Sequence, residues 1–272
     1  MSTTHAALPL HPERHGPNDL VITGKLKDLP ADTVRFVRFA DLAALPGVRS
    51  MQVPIDNYPG EQTVEVLFLA DLLAALPVDD TVDTVLARCK DGYLSLYTDT
   101  FREEYRPFLV LTIDGRPAGA WPESISGADI GPYYITVSEK LAPAYADLKD
   151  AGTKRPWGVT AFRLVRFEEE FSPLFSGKFA DLTGDAAAGR DLYMNNCMSC
   201  HAWEGGTFGG TVSEFTFPVI AAKSKFMPDY FRKWVRNPQA FNPESKMEAQ
   251  SHYTDADFRQ LQAFLDTFFK QP

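Results

Sequence analysis

The chain has 272 residues, 44% of them hydrophobic and 23% charged, a balance ordinary for a folded chain long enough for two domains. Its 36 acidic residues outnumber 27 basic ones for a net charge of −9, which argues against nucleic acid or an anionic membrane surface as partner. No run of about 20 apolar residues occurs, so no transmembrane segment is expected.

Residues 1–19 hold His5, His11 and His15 amid Pro and polar residues, which predicts a flexible N-terminal arm. From Leu20 the pattern turns β-rich. Leu20–Gly24 and Val34–Phe39 read as strands, the second alternating apolar and basic residues. Asp41–Gly47 reads as a short helix closed by Pro46 and Gly47, with Asp41 a candidate N-cap. Further strands are expected over Val48–Ile55, Val82–Arg88 (ending at the turn pair Asp91-Gly92), Phe108–Ile113, Tyr133–Val137 and Thr160–Phe167. A helix is expected over Phe68–Leu76, ended by Pro77.

This succession resembles the pterin-binding fold of the sulfite-oxidase family over residues 20–168. The resemblance rests on Asp41-Leu42-x-x-Leu45-Pro46, Cys89-Lys90-Asp91-Gly92-Tyr93, Asp114-Gly115-Arg116-Pro117, Gly131-Pro132-Tyr133-Tyr134-Ile135 and Trp157. It implies a molybdenum site held by a cysteine thiolate in the segment matching Val48–Ile55, where this chain has none. Neither Ser nor Gln reproduces soft thiolate ligation, so the expected domain lacks molybdenum. Cys89 reads as a partly buried thiol beside a turn, flanked by Arg88 and Lys90, which can favour the thiolate. No histidine lies between residues 16 and 200 to serve as a general base, and no catalytic constellation is visible.

Glu168-Glu169-Glu170, Ser172-Pro173 and a lack of clear periodicity predict a linker over 169–183. Residues 184–272 follow as a second, all-α domain, so the expected fold class is α+β with two domains. Its centre is Cys197-Met198-Ser199-Cys200-His201, a C-x-x-C-H run that reads as covalent c-type haem attachment. Two thiols on one side of a turn can each add to a vinyl group, and the following histidine sits beneath the iron. A zinc site would need two more Cys or His ligands, and the remaining cysteine, Cys89, is far upstream. With two of three cysteines so committed, no pair is left for a structural disulfide.

The same residues resemble a class I cytochrome c throughout. Gly189 and Tyr193 lie one turn apart on a first helix, Asp185–Asn196, where the family brings its first and last helices into close contact. Phe258, Leu261, Phe264, Leu265 and Phe268 recur at helical spacing on the expected last helix, Asp255–Phe269, with Thr254 a plausible N-cap. The resemblance implies one covalent haem c bound through Cys197 and Cys200, His201 as proximal ligand and Met247 as sixth. Met247 is followed by Glu248 rather than the family's usual Pro; Met227-Pro228 is the competing candidate, but it precedes a predicted helix over Asp229–Val235. Pro218 matches the family's proline whose carbonyl accepts the proximal histidine's Nδ1–H, although Phe217 stands where a Gly usually precedes it. His252 reads as a surface residue, Met194 and Met198 as packing.

The expected function is electron transfer in the periplasm, with a leader peptide ahead of Met1 since haem is normally joined to C-x-x-C-H outside the bacterial cytoplasm. The first domain would then be a docking or assembly scaffold for a periplasmic redox protein or dehydrogenase. The alternative is a haem-linked oxidoreductase whose first domain binds a pterin, metal or small oxyanion.

Overall fold

The computed structural model describes residues 7–270, which divide into two compact units, one ending at Glu169 and one starting at Glu170. The first unit is β-rich and the second is helical.

The first unit is built on one branched sheet. Its strands are β1 (Leu20–Gly24), β2 (Arg35–Val37), β3 (Arg49–Pro54), β4 (Glu61–Phe68), β5 (Thr84–Cys89), β6 (Leu94–Thr98), β7 (Phe108–Ile113), β8 (Arg116–Pro117), β9 (Tyr133–Thr136) and β10 (Trp157–Val165). The main path runs β2-β1-β10-β9-β7-β4-β3; β5 and β6 branch from β10, and β8 hangs on β7. β10 pairs parallel with β1 and antiparallel with β5 and β9. β7 is buried along its whole length because it faces two cores. Leu109 and Leu111 join one cluster with Leu67, Tyr133 and Ile135, while Phe108 and Val110 join another with Val64, Val66 and Tyr134. Period-two alternation on a strand covered on both sides yields a continuous apolar run, as read in the sequence.

Short helices α1 (Phe39–Ala43), α2 (Leu69–Ala75) and α3 (Asp99–Tyr105) connect these strands. β4, β6 and α3 lie outside the sequence reading. β4 has a legible signal, since its buried positions alternate before the closing run Val66-Leu67-Phe68. Asp41 is not the N-cap of α1. That position belongs to Arg38, and Asp41 instead meets His11 Nε2 at 2.9 Å.

The expectation of a flexible arm over 1–19 is corrected for its described part; residues 1–6 lie outside the described residues. Leu8 is buried, and its amide donates to Ala75 O at 2.8 Å. His11 and Phe36 exchange backbone hydrogen bonds of 2.8 and 2.9 Å. Buried Asp19 accepts the amides of His15 and Gly16. One apolar anchor and several paired backbone groups offset the ordering entropy that composition alone left uncompensated.

A turn of helix, α4 (Phe167–Glu170), leads into the second unit, whose helices are α5 (Gly184–Asn195), α6 (Phe217–Phe226), α7 (Pro228–Arg236) and α8 (Asp255–Asp266). Thr254 and Asp257 form a reciprocal capping box at the start of α8. α5 crosses α8 closely at Gly189, where an added Cβ would lie 1.9 Å from Gln260 O. Tyr193 packs one turn on, against Phe217 at 5.1 Å and Phe264 at 5.7 Å between ring centroids.

Residues 170–183 are not a bare linker. Phe171, Leu174 and Phe179 are buried within the second unit. Phe171 meets Phe208 edge-on at 5.3 Å, Phe179 contacts Trp203, Phe217 and Phe264, and Lys178 Nζ donates to Phe268 O. Two short 3-10 turns, Ser172–Leu174 and Gly177–Phe179, deliver these side chains without helical or strand periodicity.

Gly189→Ala should destabilise the second unit by about 1–3 kcal/mol, because a backbone carbonyl blocks the new methyl and α5 must shift. Denaturant titration of the purified protein checks this, and unchanged stability would mean the helices are not in close contact at Gly189.

Candidate functional site

α5 buries Gly189, Tyr193 and Met194 and ends at Asn195, with Asn196 as its C-cap. The chain then tightens into the 3-10 turn Cys197–Ser199. Cys197 O accepts the amides of Cys200 at 3.2 Å and His201 at 2.9 Å, so both cysteines and the histidine share one turn. Cys197 and Cys200 are half-buried. Met198 points into the core and is buried, as is Met194.

The following loop lies against this turn. Gly210 donates to Met198 O at 2.8 Å, and a Cβ at Gly210 would sit 1.9 Å from Ser199 O. Only glycine permits that approach. Ser213 donates to Cys200 O at 3.1 Å, and Phe217 donates to Ala202 O at 2.9 Å. Trp203 packs on Phe217 with centroids 4.1 Å apart and stacks on Phe208 at 5.5 Å. The turn Cys197–His201 is thereby fixed from behind by an aromatic core.

His201 Nδ1 lies 2.7 Å from Phe215 O. A carbonyl only accepts, so Nδ1 carries the proton and the neutral ring keeps its lone pair on Nε2. The acceptor is Phe215, which corrects the assignment to Pro218. Pro218 lies in the first turn of α6, where its missing N–H costs nothing and its carbonyl belongs to the helix. Any residue supplies a backbone carbonyl, so Phe215 left no mark in the sequence. Burial lowers the His201 pKa below 6.5, opposed by the hydrogen bond to Phe215.

Met247 is half-buried in the irregular stretch between α7 and α8. Met227 is 49% exposed and serves as the residue that starts α7. His252 is exposed and rests edge-on against Tyr253. Among the described residues no group of three or more His, Cys, Asp or Glu side chains forms a metal cluster, so a zinc-type reading of the cysteines gains nothing from the fold. Two adjacent thiols, with an imidazole whose tautomer is set for Nε2 donation, fit haem of the c type.

In the first unit, Cys89 is 4% exposed and packs in the main core. No helix among the described residues is long and apolar enough to cross a membrane.

Residues 184–265 match the family of cytochrome c oxidase, cbb3-type, subunit III. A cytochrome c from Tetrahymena pyriformis is 32% identical over 95 residues, covering 30% of this chain and 87% of the relative. The family match lies wholly within the second unit.

In the polypeptide produced without haem, His201 should titrate below 6.5, as followed by its ring proton shifts in NMR. A lowered folded-state value means that His201 favours the folded state above 6.5 and that this contribution fades as pH falls through the folded-state pKa. Titration above 6.5 would contradict the burial described.

Proposed function

The chain belongs, through its second unit, to the cytochrome c family, which implies haem c and a redox partner, and we propose that it carries one covalent haem with His201 and Met247 as axial ligands. The observation that carries this reading is the attachment turn, with both thiols on one turn and His201 Nδ1 bonded to Phe215 O at 2.7 Å. Haem c, when bound, supplies a one-electron couple.

The chain's own residues set its properties. Cys197 and Cys200 would hold the group, and His201 would ligate through Nε2. The Phe215 carbonyl orients the imidazole and makes it a better donor. Met247 would add a neutral, soft thioether, which favours the ferrous state and raises the potential. Met227 is a poorer candidate because it is exposed and its backbone is engaged at the start of α7, where its carbonyl accepts the Phe231 amide at 2.9 Å.

The first unit, read as a sulfite-oxidase-like domain without molybdenum, would act as a docking or assembly scaffold for a periplasmic redox protein or dehydrogenase. This is supported by the lack of cysteine in residues 48–55 and of histidine between 16 and 200. Cys89, enclosed in the core, does not offer a substitute thiolate. A periplasmic location fits the chemistry of C-x-x-C-H attachment.

Met247→Ala should convert the low-spin haem spectrum to a high-spin or water-ligated one, whereas Met227→Ala should leave it low-spin. Optical and electron paramagnetic resonance spectra check this, and the reverse pattern would assign the sixth ligand to Met227.

A further inference from the structure

We propose that Gln239 is a positioning residue that holds Met247 in place for coordination, an inference that rests on Met247 being the sixth ligand. Residues 241–254, which contain Met247, form neither helix nor strand. Such a segment needs side-chain hydrogen bonds to select one path from many. Gln239 supplies them from the 3-10 turn Pro238–Ala240, itself capped by Asn237 Oδ1 accepting from the Ala240 amide at 3.3 Å.

The Gln239 side-chain amide has two N–H bonds and uses both on this loop. Nε2 donates to Ser245 O at 3.0 Å and to Met247 O at 2.8 Å. Ser245 Oγ accepts the Met247 amide at 3.3 Å. Both backbone polar groups of Met247 are therefore held, one by Gln239 and one by the residue that Gln239 also grips.

The far end of the loop is anchored independently. The Gln250 amide donates to Val235 O at 2.9 Å, and buried Tyr253 accepts Asn196 Nδ2 at 2.9 Å. Asn196 directly precedes Cys197. Loss of the Gln239 bonds would thus loosen the stretch around Met247 while α7, α8 and the attachment turn stay tied. Gln239 is exposed, so its substitution leaves the core intact. A neutral thioether binds iron weakly enough that loop freedom competes with coordination.

The test uses the full-length haem-loaded protein and two variants at position 239. Gln239→Glu is nearly isosteric but its carboxylate donates nothing and faces two carbonyl oxygens. Gln239→Lys keeps donors on a side chain of similar reach. The readouts are the thioether-to-ferric charge-transfer band and hydrogen exchange of the amides of residues 245–248. The Glu variant should lose roughly half or more of the band and exchange roughly tenfold faster, while Lys should retain both properties. Retention of the band and slow exchange in Gln239→Glu would overturn the proposal. Met247→Ala, measured alongside, separates the two failures. If it abolishes the band while Gln239→Glu leaves it intact, only the positioning role falls. If Met247→Ala leaves the band intact, the ligand assignment falls and takes the positioning role with it.

Discussion

The hydrogen bond from His201 Nδ1 to the Phe215 carbonyl constrains the site more than any other single contact. It fixes the tautomer, because a carbonyl has no proton to give, and it leaves Nε2 as the donor atom. The bond requires residues 202–215 to fold back on the turn Cys197–His201. That return depends on Gly210 passing against Ser199 O, on Ser213 reaching Cys200 O, and on Trp203 and Phe217 packing together behind that turn. The core that holds the turn also includes Tyr193 and Phe264, so the crossing of α5 and α8 at Gly189 supports the placement of His201 at one remove.

The two proposed axial ligands are held by different physics. His201 is half-buried on a turn fixed by a packed aromatic core, where a shift would cost its hydrogen bond to Phe215 O. Met247 sits on an irregular loop, where its carbonyl accepting from the Gln239 side chain and its amide donating to Ser245 Oγ take the place of packing. Met227 belongs to a third category, since its exposure and its place at the start of α7 tie it to helix formation.

Much of this site is legible in the sequence because its chemistry is carried by side chains at fixed spacing. Cys197, Cys200 and His201 fall on one turn, and the apolar repeat of Phe258, Leu261, Phe264 and Leu265 marks α8. Phe215 carries no sequence signal because its contribution is a main-chain oxygen that every residue possesses, whereas Pro218 stands out through its match to a family proline. The buried segment around Phe171, Leu174 and Phe179 reads as a linker because two 3-10 turns present apolar residues without regular period. The N-terminal residues from Leu8 to Asp19 read as mobile because their stability comes from long-range pairing with Ala75 and Phe36, which local composition does not encode. In the first unit, the doubly buried β7 is plain as an apolar run, while β4, outside the expected strands, has a clear alternation.

One haem joined to the turn at Cys197 and Cys200, as proposed, is covalent and survives unfolding. Intact-mass measurement under denaturing conditions, followed by peptide mapping, checks this. The expected result is a chain carrying the mass of one haem through unfolding, located on the peptide that contains Cys197 through His201. Recovery of an unmodified chain from haem-replete protein, with the haem released into solvent, would contradict it.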